Sequence, residues 1–347
     1  MGKKLLLVYS GPISSVILFI DYLIPYFSDI KILSAHNDEE IKSFDIGLDI
    51  EKYKDKYLLS CQHTTLETIM SYDIIFGIDH GCIPFLLDIK RDLPVIKVGC
   101  QILDYPEHCL DKNSKDYSSY ADGLWAYILP HLHKLDFYLC NFNNIENKLK
   151  KRYFLNVPSI TQTYPARRMQ ISNFSNENFI IYVGRLEKDK NISHIIESVS
   201  LMKNKIKLIL VTSGYRNFDY LSLSAYLQVN VEVLKNISDK EKYDLYSHAM
   251  CGINLGSSYI PSLCTKEMMS IGKNSIVYGW PEYINIYGKN IIYVEPCNIL
   301  RVASLLDYYF DHKLEINDHN SDLITHYNIF LSYESWVNSF LKLIEKI

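Results

Sequence analysis

The chain has 347 residues, 48% of them hydrophobic and 22% charged, with a formal net charge of -4. That length suits two domains, each able to bury its own core without disulfides or a structural metal, and the composition excludes a disordered chain. The slightly acidic balance offers no bulk attraction to nucleic acid, and no apolar run is long enough to span a bilayer.

The N-terminal segment MGKKLLLVYSGP is basic and then apolar, but it stops at Ser10-Gly11-Pro12 before a signal-peptide core is complete. It reads as a first core strand over Lys4–Tyr9. Short β-branched apolar runs predict further strands at Ile30–Ser34, Ile74–Gly77, Val95–Val98, Phe137–Cys140 and Leu155–Val157. Helical spacing between them predicts helices over Val16–Phe27, Thr64–Ser71, Ile83–Lys90 and Ser119–Leu132. Such alternation marks a mostly parallel sheet covered by helices.

The second half repeats this pattern. Strands are expected at Asn178–Val183, Lys207–Thr212, Val231–Leu234, Gly252–Leu255, Ser275–Tyr278 and Ile291–Val294. Helices are expected at Ser193–Met202, Tyr220–Leu227, Ser238–His248, Glu267–Ile271 and Leu300–Phe310. Ser238 and Glu241 form a capping box, and Gly272 closes the helix that holds Glu267. Pro158, Pro165, Asn173, Ser175 and Asn176 mark the boundary between halves, and Ser332–Ile347 forms a terminal amphipathic helix.

Eight cysteines, Cys61, Cys82, Cys100, Cys109, Cys140, Cys251, Cys264 and Cys297, form no CxxC pair and no tight group with histidine. They read as thiols of a reduced, cytoplasmic protein. The basic run Lys148, Lys150, Lys151 and Arg152 reads as a solvated helix end and leaves peripheral attachment to an acidic membrane face open.

Open parallel sheets bind ligands beyond the carboxyl ends of their strands, so chemistry is sought in those turns. After Val183 the turn Gly184-Arg185-Leu-Glu-Lys-Asp-Lys190 offers close backbone approach, an Arg185 fork for diphosphate oxygens and a second cation at Lys190. After Leu255 a turn of small and polar residues, Gly256 to Lys266, runs into a helix whose positive end suits phosphate oxygens. Glu267 in that helix suits two sugar hydroxyls, or serves as an ordinary helix-start carboxylate. Ser213-Gly214 suits a base pocket, and Trp280 either stacks on a ligand or packs. In the first half, Ser10-Gly11-Pro12 lacks a dinucleotide fingerprint. Asp79-His80-Gly81 and Gly99-Cys100-Gln101 are read as turns, with His80 either a hydrogen-bonding or acid group or a structural histidine.

The order Gly184-Arg185…Lys190, Ser213-Gly214, then Glu267-Met268-Met269-Ser270-Ile271-Gly272 resembles the retaining glycosyltransferases of the GT-B fold, in the large family 4 group. The resemblance implies two Rossmann-like α/β domains facing across a cleft, divided as 1–165, 166–325 and a 326–347 helix returning to the first domain. It implies transfer of a sugar from a UDP- or GDP-linked donor to a hydroxyl of a glycan, glycolipid or protein, with retention and without a metal or other cofactor. Carried over, Arg185 and Lys190 hold the donor diphosphate, and Leu263, Cys264 and Thr265 place amides near it. Glu267 binds the ribose. Two departures stand out: Tyr259 occupies the place of the family's first motif glutamate, and Gly99-Cys100-Gln101 stands where its N-terminal-domain histidine belongs. These keep two other readings open, a non-catalytic sugar-nucleotide or glycan-binding protein and a sugar-nucleotide epimerase.

Overall fold

The computed structural model describes residues 2–11, 16–34, 53, 57–60, 64–103, 119–153, 155–169, 174–212, 220–256, 261–312 and 320–347. The chain divides into two units, Met1–Tyr164 with Tyr333–Ile347, and Pro165–Ser332.

In the first unit, β1 (Lys4–Tyr9), β2 (Asp29–Ser34), β3 (Leu58–Ser60), β4 (Ile74–Gly77), β5 (Lys97–Ile102), β6 (Phe137–Cys140) and β7 (Ser159–Thr161) form one sheet. Its order is β3-β2-β1-β4-β5-β6-β7, and every pairing is parallel. Helices cover such sheets on both faces, which is why β4 and β6 are unbroken apolar runs buried at every position. Prolines set the helix ends. The helix expected from Val16 is α-helical only over Leu18–Leu23 and tightens into a 3-10 turn at Ile24–Tyr26, because Pro25 has no N–H for the ladder. The helix from Ser119 likewise gives way after Ile128 to a 3-10 segment containing Pro130.

One strand lies later than its apolar run suggests. Val95 is 87% exposed, and pairing starts at Lys97, whose N–H donates to the Asp73 carbonyl at 3.2 Å. The next amide, Val98, is held by the Asp136 carboxylate at 2.8 Å. Gly99, Cys100 and Gln101 therefore lie within buried β5 and not in a turn after it. Gln101, fully buried, is satisfied: its amide nitrogen donates to the Gln162 carbonyl at 3.3 Å and its oxygen accepts from Trp336 Nε1 at 3.1 Å. The strand expected at Leu155–Val157 is found instead at Ser159–Thr161. The basic run lies on a helix, Asn143–Arg152, where Lys150 pairs with Glu146 at 2.5 Å.

The last helix, Tyr333–Ile344, completes the core of this unit. Trp336 packs edge-on against Phe19 with ring centroids 4.5 Å apart, and Phe340 lies 4.8 Å from Phe76. Ser339 ties the helix to the Gln162 side chain at 2.8 Å.

In the second unit, β8 (Phe179–Val183), β9 (Lys207–Thr212), β10 (Asn230–Lys235), β11 (Cys251–Asn254), β12 (Ser275–Tyr278) and β13 (Ile292–Val294) form a parallel sheet ordered β10-β9-β8-β11-β12-β13. Side chains alternate across it: Ile180, Leu208 and Leu210 join one apolar layer, Ile181, Ile209 and Val211 the other. The helix Asp239–His248 begins with the full capping box, Ser238 and Glu241 each accepting the other's amide. The helix holding Glu267 starts earlier than expected and spans Leu263–Ser270, with Gly272 following at φ 79°. This helix lies tight on β11: a Cβ on Gly252 would stand 2.3 Å from Met268 Sδ. Short helices at Pro281–Tyr287 and Ser321–His326 have no counterpart in the sequence reading. Among the described residues, no helix is long and apolar enough to cross a membrane.

Candidate functional site

The strand order of the second sheet reverses between β8 and β11. The chain leaves these two neighbours in opposite directions, which opens a crevice at their carboxyl ends where such sheets take ligands. Both turns at this crevice were singled out from sequence.

The first turn opens with Gly184, at φ 155°, where a Cβ would lie 2.7 Å from the Tyr182 hydroxyl. That hydroxyl donates to the Arg185 carbonyl at 2.8 Å and braces the turn. Arg185 extends into solvent, 64% exposed, with its guanidinium 2.8 Å from Glu187. Lys190 is mostly covered and lies 2.6 Å from Asp189. Asn191, in the left-handed region at φ 50°, turns the chain and donates its side-chain amide to the Leu255 carbonyl at 2.8 Å. The turn of β8 is thereby stitched to the end of β11. Gly256 sits directly beside it, where a Cβ would be 3.8 Å from Lys190 Cδ. Trp280 donates from Nε1 to the Gly256 carbonyl at 3.0 Å, so its indole braces the same turn.

The helix Leu263–Ser270 begins at this point. Its N-cap residue, Ser262, makes no side-chain capping bond, and the Cys264 thiol donates to the Val183 carbonyl at 2.8 Å. Burial pushes that thiol up to about 11, so it serves as a tether and not as a nucleophile. Leu263 is 45% exposed, and Thr265 is buried. Glu267 stands three residues beyond Cys264 on the same helix, one turn on from its start.

Glu267 is the centre of a network that sequence spacing did not reveal. Its Oε1 lies 3.1 Å from Lys242 Nζ, and its Oε2 accepts from the Tyr246 hydroxyl at 3.1 Å. Lys242 also lies 3.1 Å from Asp239, which pairs in turn with Arg167 at 3.0 Å. Burial alone would lower the Lys242 ammonium, but Glu267 and Asp239 outweigh it and hold the group well above its ordinary range. The one signal available in sequence was the i, i+4 spacing of Lys242 and Tyr246 on the capped helix.

The structure thus gathers Gly184, Arg185, Lys190, Cys264 and Glu267 at one end of one sheet, with Leu263 and Thr265 on the same helix. Ser213, Gly214 and Tyr259 lie outside the described residues. His80 belongs to the first unit, in a 3-10 turn after β4, stacked on Trp125 with ring centroids 5.0 Å apart. Beside it Asp79 accepts from Ser10 Oγ at 2.8 Å, across the carboxyl ends of β4 and β1.

Two Rossmann-type units of this kind, each a parallel sheet wound on both faces by helices, define the GT-B fold. Residues 165–309 match the family model described as Glycosyl transferases group 1. No curated protein matches the chain. Solved structures similar to it include HepE of Anabaena in complex with UDP and glucose, at 12% identity and a TM-score of 0.75 over 99% of this chain and 100% of that one. Sucrose-phosphate synthase from Thermosynechococcus elongatus aligns at 12% identity and a TM-score of 0.73, over 99% of this chain and 98% of the other. The lipopolysaccharide outer core galactosyltransferase WaaB, in its apo form, gives 12% and 0.67 over 98% and 99%.

Proposed function

We propose that the protein transfers a sugar from a nucleoside diphosphate donor to a hydroxyl of a glycan, glycolipid or protein acceptor, with retention of anomeric configuration. The observation that carries this reading is the convergence of Arg185, Lys190 and the start of the Leu263–Ser270 helix at the switch point of one sheet. Two cations on a glycine turn stabilise the charge that develops on a departing diphosphate, which is the hardest part of glycosyl transfer. Because side chains supply that charge, the reaction runs without a divalent metal. Glu267 accepts the ribose hydroxyls, and Ser213, Gly214 and Tyr259 contribute to the base and sugar ends of the donor pocket. Uracil is the base of choice, on the UDP complex of HepE. The first unit takes the acceptor, with His80 and Asp79 at the carboxyl ends of its strands, and the free thiols Cys82, Cys100 and Cys140 suit a reducing, cytoplasmic setting.

The test is turnover of UDP-sugars by the full chain against an acceptor panel, with the product anomer read by NMR. Arg185→Ala and Lys190→Ala are each expected to cost about a hundredfold or more in kcat with the fold intact, and a chelator is expected to leave the rate unchanged. Wild-type rates in both variants, or product formed from donor alone, would overturn the reading.

A further inference from the structure

Glu267 meets a stoichiometric demand that its environment answers. An ionised carboxylate is acceptor-only, with about four lone-pair sites. In this structure Lys242 and Tyr246 each take one site, on different oxygens. Among the described residues one site per oxygen is left, which matches the two hydroxyl donors of a ribose. The Glu267 side chain is only 11% exposed, so its hydrogen-bond partners fix where its oxygens point. The Lys242 ammonium holds Oε1 from 3.1 Å away. The chain Arg167, Asp239, Lys242, Glu267 alternates in sign along its length, so no charge in it is buried without a partner.

We propose that Lys242 is a positioning residue for nucleoside recognition: its bond to Oε1 holds the Glu267 carboxylate turned so that both oxygens accept the vicinal hydroxyls of the donor ribose. This rests on the nucleotide-sugar reading above and adds to it a residue that does not itself touch the diphosphate. Lys242 and Glu267 are 25 positions apart, on different helices. The ribose ligand is therefore set by how the Asp239–His248 helix docks on the Leu263–Ser270 helix.

The experiment measures binding of UDP, 2′,3′-dideoxy-UDP and inorganic pyrophosphate to the full chain by calorimetry, in the wild type and in Lys242→Met and Lys242→Arg. The wild type is expected to prefer UDP over the dideoxy analogue by about tenfold to a hundredfold, the worth of hydrogen bonds to a charged group. K242M should lose most of that preference while its affinity for the dideoxy analogue and for pyrophosphate stays within about twofold of wild type. K242R should restore the preference. A purely structural lysine would weaken all three ligands together or none of them, so a K242M protein that keeps the wild-type ratio overturns the proposal. If K242M does not fold, Lys242→Gln, of similar length but uncharged, is read the same way. A wild type that binds pyrophosphate yet does not distinguish ribose from dideoxyribose would remove Glu267 from the nucleoside site and overturn the proposal while leaving the diphosphate site standing, whereas a wild type that binds none of the three ligands would overturn the donor reading itself.

Discussion

Replacing Trp336 with alanine should unfold the first unit selectively. Trp336 is fully buried between Phe19, Phe76 and Phe340, and truncating a buried tryptophan costs about 3–5 kcal/mol. Its indole N–H also satisfies the oxygen of the fully buried Gln101, and leaving such an acceptor unpaired adds about 1 kcal/mol or more. A loss of about 4–6 kcal/mol is comparable to the whole stability of an ordinary domain. Hydrogen exchange with mass spectrometry localises the effect: peptides covering β1, β4 and β6 should lose protection, and peptides covering β8 to β12 should keep theirs. Unchanged protection in β1, β4 and β6, or an equal loss in both units, would refute the assignment of this helix to the first core.

Two further substitutions test the packing argument at other sites. Gly252→Ala forces a Cβ to within 2.3 Å of Met268 on the helix that carries Glu267, so UDP affinity should fall together with about 1–3 kcal/mol of stability, read by calorimetry and thermal unfolding. At Glu146, burial raises the carboxyl but hydrogen bonds from Lys150, Thr161 and Ser159 outweigh it and hold the group below its usual range. A depressed carboxyl stabilises above its unfolded pKa and loses that contribution as pH falls through the folded one. Glu146→Gln should therefore cost about 1 kcal/mol at neutral pH, with the difference in urea midpoint shrinking only as pH falls below the ordinary glutamate range and through the lowered folded value.

Much of the fold can be read from local pattern. β4, β6 and β12 are apolar runs with Gly, Ser, Asp or Asn at both ends, and β1 and β9 run from a lysine to a following serine, so their limits follow from local pattern. The Gly184 turn is legible for the same reason, since glycine, arginine and lysine fall within seven residues of a strand end. β5 is not, because Val95 and Ile96 look like strand residues while the pairing is set by Asp73 and Asp136, distant in sequence. Gln101 looks like a turn residue because its compensating partner, Trp336, is 235 positions away. The same limit hides Lys242, an ordinary charged residue on an exposed-looking helix until Glu267 is brought against it. Local spacing encodes elements and turns, whereas buried polar pairs are encoded only by the tertiary structure that satisfies them.

The division of the chain has a consequence for synthesis. The second unit is one continuous stretch, Pro165–Ser332, inserted between the bulk of the first unit and its final helix. A ribosome releases everything the second unit needs before it releases Tyr333–Ile347. On a growing chain the later-made unit can close first, while the earlier one waits with Phe19, Phe76 and Phe137 uncovered. Stalling or premature termination anywhere after Ser332 would leave a nascent protein with a finished second unit and a sticky, chaperone-dependent first unit.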